Sequence, residues 1–123
     1  MNNKFVHLLS KEARKKIIEE ALSRRTLKEL SEALDVSIAA ISKYKSGATH
    51  PSDETLIKLL EIAEEEEVRE YVKIMVEDLV SGLSELLSWA IERDVLDVSV
   101  INKLERLHSK VLAAIASRRK ISF

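Results

Sequence analysis

Residues 26–47 read TLKELSEALDVSIAAISKYKSG, two short helical patterns meeting across a turn too tight for anything but a fixed angle. Thr26 has an N-cap side chain and Glu29 stands three residues on, so hydroxyl and carboxylate can satisfy each other's orphan amides as a capping box, and a helix starts at Leu27. Leu30, Ala33 and Leu34 recur at helical spacing. Asp35 falls where the chain must turn, one of the few non-glycine types that tolerates a left-handed backbone, and Val36 plugs the turn. Ser37 caps a second helix, Ile41 and Tyr44 lie one turn apart on its inner face, and Gly47 ends it. Leu30, Leu34, Val36, Ile41 and Tyr44 then face inward, and small Ser31 leaves room where the helices cross. Ile38, Ala39, Ser42, Lys43 and Lys45 point away.

Working outward, Ser10 caps a preceding helix to about Leu22, with Ala13, Ile17, Ile18, Ala21 and Leu22 inside. Phe5, Val6, Leu8 and Leu9 before it make a short apolar patch able to form one helical turn over the domain. Arg14, Lys15 and Lys16 lie outside that helix, as surface charge or phosphate contacts, and Arg24 and Arg25 immediately precede the capped helix. After the loop Ala48-Thr49-His50-Pro51, Ser52, Asp53 and Glu54 place a cap and two acids at the start of a helix from about Asp53 to Glu64, where negative charge is favoured. Its inner face is Leu56, Leu59, Leu60 and Ala63. Continuing it would bury Glu67, so a break near Glu64 to Glu67 is expected.

The segment from about Lys11 to Ala63 resembles the lambda-repressor-like (XRE or Cro-type) helix-turn-helix family. The resemblance rests on the apolar positions, the Ile41-Ser42 pair, Gly47, Pro51 and the following TLIKLLEIA. Asp35 replaces the family's usual turn glycine, and Leu27 stands where a glutamine often touches DNA. The resemblance implies an all-α fold with a five-helix-type head, and double-stranded DNA as partner. It implies that Ile38, Ala39 and Lys43 read bases. The first two can meet only thymine methyls, whereas Lys43 can donate to guanine or neutralise a phosphate. Arg24, Arg25, Ser37, Ser42, Lys45, Thr49 and His50 are the expected backbone contacts, His50 having a solvated loop position as its alternative.

The remaining half is long, apolar and helical. From Val68 to about Arg93, positions 68, 72, 75, 76, 79, 80, 83, 86, 87, 90 and 91 make a wide stripe. After a polar turn at Asp94 to Asp97, Ile101, Leu104, Leu107 or His108, Val111, Ala114 and Ile115 repeat the pattern. The expectation is an antiparallel hairpin, with Gly82 admitting close approach of another helix. More apolar surface results than two helices cover, which calls for the head or, preferably, a second copy. Val76, Leu79, Leu83, Leu87, Trp89, Leu104, Val111 and Ile115 are the expected homodimer contacts. The domains read as 1–66, DNA-binding, and 67–123, a dimerising hairpin.

Composition bounds the rest. The 123 residues are 46% hydrophobic, with two Gly and one Pro, which favours an all-helical protein. No Cys is present, excluding disulfides and thiolate chemistry, and the three histidines, His7, His50 and His108, share no ligand spacing. No glycine-rich phosphate loop or paired metal-ligand motif occurs either, so the expectation is a non-enzyme needing no cofactor or metal. No apolar run approaches the ~18 residues of a membrane span and there is no signal-peptide pattern, so a cytoplasmic protein without a membrane partner is expected. The net charge of −1 hides segregation. Residues 1–50 hold ten Lys/Arg against six Asp/Glu, residues 51–97 four against fourteen, and residues 98–123 six against one. A basic head on an acidic middle is either a device that turns one face to nucleic acid or a set of solvated faces. The function expected is therefore a sequence-specific DNA-binding homodimer reading a palindrome, most simply a transcriptional regulator. A helical interaction adaptor and an architectural or partition DNA-binding protein are the alternatives.

Overall fold

The computed structural model describes residues 3–118. These form a 3-10 helix, Lys4–Leu8, then α1 (Lys11–Leu22), α2 (Leu27–Leu34), α3 (Ile38–Ser46), α4 (Asp53–Ile62), α5 (Glu65–Glu92) and α6 (Val98–Arg118), with no strand among the described residues. Two compact units result, 1–83 and 84–123. The first reaches past the boundary expected at residue 66, because the first part of α5 supplies the fifth helix of the head.

The helix starts follow from local hydrogen bonding. The hydroxyls of Ser10, Ser37 and Ser52 accept the amides of Ala13, Ala40 and Thr55, and Thr26 with Glu29 closes the capping box in both directions. Asp35 adopts the left-handed conformation at φ 56°, with its own N–H donating to Glu32 and that of Val36 to Ser31. That pair of bonds lets a non-glycine residue end α2 and turn the chain into α3. Asp94 does the same at the end of α5, at φ 56°. α4 stops at Ile62, two residues before the expected end, and Ala63 is extended.

Leu30, Leu34 and Ile41 of the two central helices meet Ala13, Ile17 and Ala21 of α1 and Leu56 and Leu59 of α4 in one core, closed by Val6 and Leu9 from the N-terminal segment and by Tyr71 and Met75 from α5. Full burial of such a side chain contributes about 1.5–3 kcal/mol. Arg14, expected on the surface, ties three segments together. Its guanidinium donates to the carbonyls of Leu9, Val6 and Pro51 and to the Asp53 carboxylate at 2.7 Å. The Arg14 hydrogen bond, and then that of His7, holds Asp53 below the ordinary carboxylate range. Asp78 of α5 accepts from the backbone N–H of Ser10 at 2.9 Å and from its hydroxyl, anchoring α5 beside the start of α1.

The break after α4 occurs as expected, yet Glu67 is buried all the same, at 2% exposure. Arg25 meets it with two parallel hydrogen bonds of 2.7 Å and also donates to the Ala21 carbonyl, while the Tyr71 hydroxyl donates to the same carboxylate. Burial works to raise the Glu67 pKa, but the bonds from Arg25 and Tyr71 outweigh it and hold the group below its ordinary value. Tyr71 is pushed well up by burial and by the neighbouring carboxylate.

Two outcomes follow. Glu67→Gln leaves Arg25 facing a neutral group and should cost about 3 kcal/mol in denaturant unfolding. Because the folded carboxylate titrates below the unfolded one, wild-type stability should be full above the ordinary Glu value near 4.5 and fall as pH drops through and below it. The variant should show a shallower acid limb. Separately, a chain ended after Leu83 should melt cooperatively. One ended after Glu67 lacks Tyr71 and Met75 and should melt far lower, as thermal unfolding followed by circular dichroism would read.

Candidate nucleic-acid interface

α3 is short, amphipathic and closed at both ends. At its start the Ser37 hydroxyl takes the Ala40 amide at 3.0 Å, which leaves the amides of Ile38 and Ala39 open, without a protein partner among the described residues. At its end Gly47 is left-handed, φ 83° and ψ 6°, and its N–H donates to Tyr44. A Cβ there would lie 3.6 Å from the stem of Lys15, so the glycine is required by backbone conformation rather than by crowding. Thr49 N–H donates to the Lys43 carbonyl and folds the following loop back on the helix.

Ile41 is fully buried, and Tyr44 and Val36 pack against the same core, so the opposite face must look outward. That face carries Ile38, which is 48% exposed, with Ala39, Ser42, Lys43 and Lys45, all exposed. The three expected base-reading residues, Ile38, Ala39 and Lys43, thus share one open surface with Ser37, Ser42, Lys45 and Thr49. The surface is basic and mostly small, with open amides at the helix start, the combination that can approach a phosphate backbone and reach groove edges.

Arg25 and His50 sit differently. The Arg25 guanidinium, expected on phosphate, is engaged by Glu67, and its side chain is 18% exposed. It acts within the fold. Arg24 beside it is more exposed, at 33% of its side chain, and pairs with Glu20 at 3.2 Å while adding a weaker charge effect on Glu67. His50 is half-buried, and its Nδ1 is buried without a hydrogen-bond partner among the described residues. No group of three or more His, Cys, Asp or Glu able to hold a metal occurs among the described residues.

Sequence reasoning missed Tyr71, Glu67 and Arg14. The signal for the first two was present, since Glu67, Tyr71, Met75 and Asp78 follow one another at helical spacing on the face of α5 that meets the head. Arg14 stands one turn before both Ile17 and Ile18, on the inner stripe of α1, so its helical position did set it apart from Lys15 and Lys16.

A capped helix, a left-handed turn and a second helix with an open outer face, braced by α1 and α4, define a helix-turn-helix domain, a DNA-binding fold. Residues 11–64 match the family model described as Helix-turn-helix, which is of the lambda-repressor-like type. No curated protein and no solved structure matched the chain. No helix among the described residues is long and apolar enough to cross a membrane.

The neighbouring arginines should separate cleanly on substitution. Arg25→Ala leaves Glu67 buried without its cation and should lower the melting temperature by about 10 °C or more, consistent with a loss of at least about 3 kcal/mol. Arg24→Ala removes a partly exposed pair with Glu20 and a weaker charge effect on Glu67, and should lower melting much less. Equal melting temperatures for the two variants would refute the assignment.

Proposed function

We propose that the protein is a homodimeric, sequence-specific DNA-binding regulator of transcription that lays α3 in the major groove of each half of a palindromic site. The observation that carries this reading is the outer face of α3, where Ile38, Ala39 and Lys43 stand exposed together on a helix whose other side is locked into the core. Ile38 and Ala39 suit thymine methyl groups, and Lys43 suits a guanine edge. Ser37, Ser42, Lys45, Thr49, Arg24 and His50 would line the approach to the backbone. The segregation of charge supports one orientation, with the basic segment 1–50 toward DNA and the acidic segment 51–97 away from it. A cytoplasmic, non-enzymatic role without cofactor goes with this reading.

The dimer is supported by exposed apolar area beyond the core. Val76, Leu83, Trp89 and Val111 are exposed, and Leu87, Leu104 and Ile115 half-buried. Leu79 differs from the rest, since it packs against the head core. The Arg93 guanidinium lies 4.5 Å above the Trp89 ring, which leaves one ring face for a partner. A two-fold pairing would set the reading helices about one DNA turn, ~34 Å, apart and match a palindrome.

Binding-site selection with the full chain should return a palindrome. Lys43→Ala should then weaken the selected site by ~1–3 kcal/mol and relax preference at one base pair in each half. A uniform loss over all sequences with a shallower salt dependence would move Lys43 to the phosphates.

A further inference from the structure

A lysine of α1 reaches the far end of α3. The Cδ, Cε and Nζ atoms of Lys15 lie 3.6, 3.7 and 3.9 Å from the point where a Cβ on Gly47 would stand, so the outer half of the side chain runs across the bare glycine that ends α3. We infer that Lys15 is a DNA-backbone contact, its ammonium meeting a phosphate at the rim of the groove beside the C-terminal end of α3. The inference rests on the DNA-binding reading above and adds to it a residue from outside the two helices of the motif.

The charge of Lys15 is unspent. Arg14, one residue earlier, gives its guanidinium to the carbonyls of Leu9, Val6 and Pro51 and to Asp53. Lys16, one residue later, turns toward α5, where it borders a cleft with Glu12, Glu77 and Asp78. Lys15 lies between them, half-buried and without an ion pair among the described residues. Two of the last carbonyls of α3, those of Lys43 and Tyr44, already accept from the amides of Thr49 and Gly47, so the ammonium is not what completes them.

Position then selects phosphate over base. Gly47 follows Lys43 by one turn, so the Lys15 ammonium stands one turn beyond the side chain proposed to reach a guanine edge. A reading helix that turns its first residues to the base edges carries its last residues toward a strand. α3 has nine residues, about 13 Å at 1.5 Å each, against a major groove about 12 Å wide, so its far end arrives at the groove wall. A lysine suits that place, because its compact charge needs no fixed approach angle, whereas base readout rewards a planar fork. Contact with Gly47 also restricts the side chain before DNA arrives, which lowers the entropy lost on binding.

The test measures binding of full-length variants to the selected site and to an unrelated duplex over a range of salt concentrations. Lys15→Gln should weaken both duplexes by the same factor, at least about threefold at low salt, and reduce the salt slope by about one for each half-site occupied. Lys15→Arg should restore most of the loss, and Lys16→Gln should keep the wild-type slope. Base preference and melting temperature of Lys15→Gln should match wild type. An unchanged slope overturns the inference, as does lost preference at one base pair, which would make Lys15 a reader of bases. An equal drop in slope for Lys16→Gln overturns it too, because a diffuse basic field would then account for both. A lowered melting temperature with the wild-type slope assigns Lys15 to the fold, as a cap on α3. Wild type that binds no DNA removes the function proposed above, an outcome distinct from wild type and Lys15→Gln binding DNA equally well.

Discussion

The ion pair between Arg25 and Glu67, completed by the Tyr71 hydroxyl, is the constraint on which the arrangement of the head depends. A carboxylate taken almost wholly out of water is tolerated only when its oxygens are satisfied, and here a two-pronged guanidinium and a phenol satisfy them. Arg25 stands one residue before the cap of α2, and Glu67 lies in the first turn of α5. The contact thus fixes the direction in which α5 leaves the domain relative to the start of the helix-turn-helix. A pair of apolar residues at the two positions could bury comparable area, but it would not impose the planar geometry of a two-bond contact.

That fixed exit bears on the proposed function. If two heads are to present α3 at one helical repeat of DNA, the segments carrying the dimer contacts must be held to the heads without swivel. The first part of α5 meets this need through Glu67, Tyr71, Met75 and Asp78, four contacts down one helix face. The same helix leaves Val72, Val76, Val80 and Leu83 exposed. In the proposed dimer one helix would serve the head core on one side and association on the other, which accounts for an apolar stripe wider than a single contact requires.

The helix-turn-helix was legible in sequence because its determinants are local. Capping by Thr26 and Glu29, the left-handed Asp35 and Gly47, and the alternation that buries Leu30, Leu34 and Ile41 involve residues a few positions apart, so type and spacing alone predict them. The open face of α3 follows at once, because whatever does not point to the core must point out. The roles of Arg14 and Arg25 were not legible. Each finds its carboxylate about forty residues away, Asp53 and Glu67 respectively, and although periodicity puts Arg14 on the inner stripe of α1, no local rule names a partner at that separation.

By itself, then, the sequence determined the helices, the tight turn, the residues on the outer face of α3 and the amphipathic character of the C-terminal half, all consequences of hydrogen bonding and periodicity over one to three turns. Tertiary structure alone decided that Glu67 is a core residue, that Arg25 acts inside the fold while Arg24 faces solvent, and that the head extends through the first part of α5. The physical reason is desolvation. A glutamate in a run of four acids belongs in water unless a distant arginine and a tyrosine meet it inside the protein, and only the packing of α5 against the head brings those three side chains to one place.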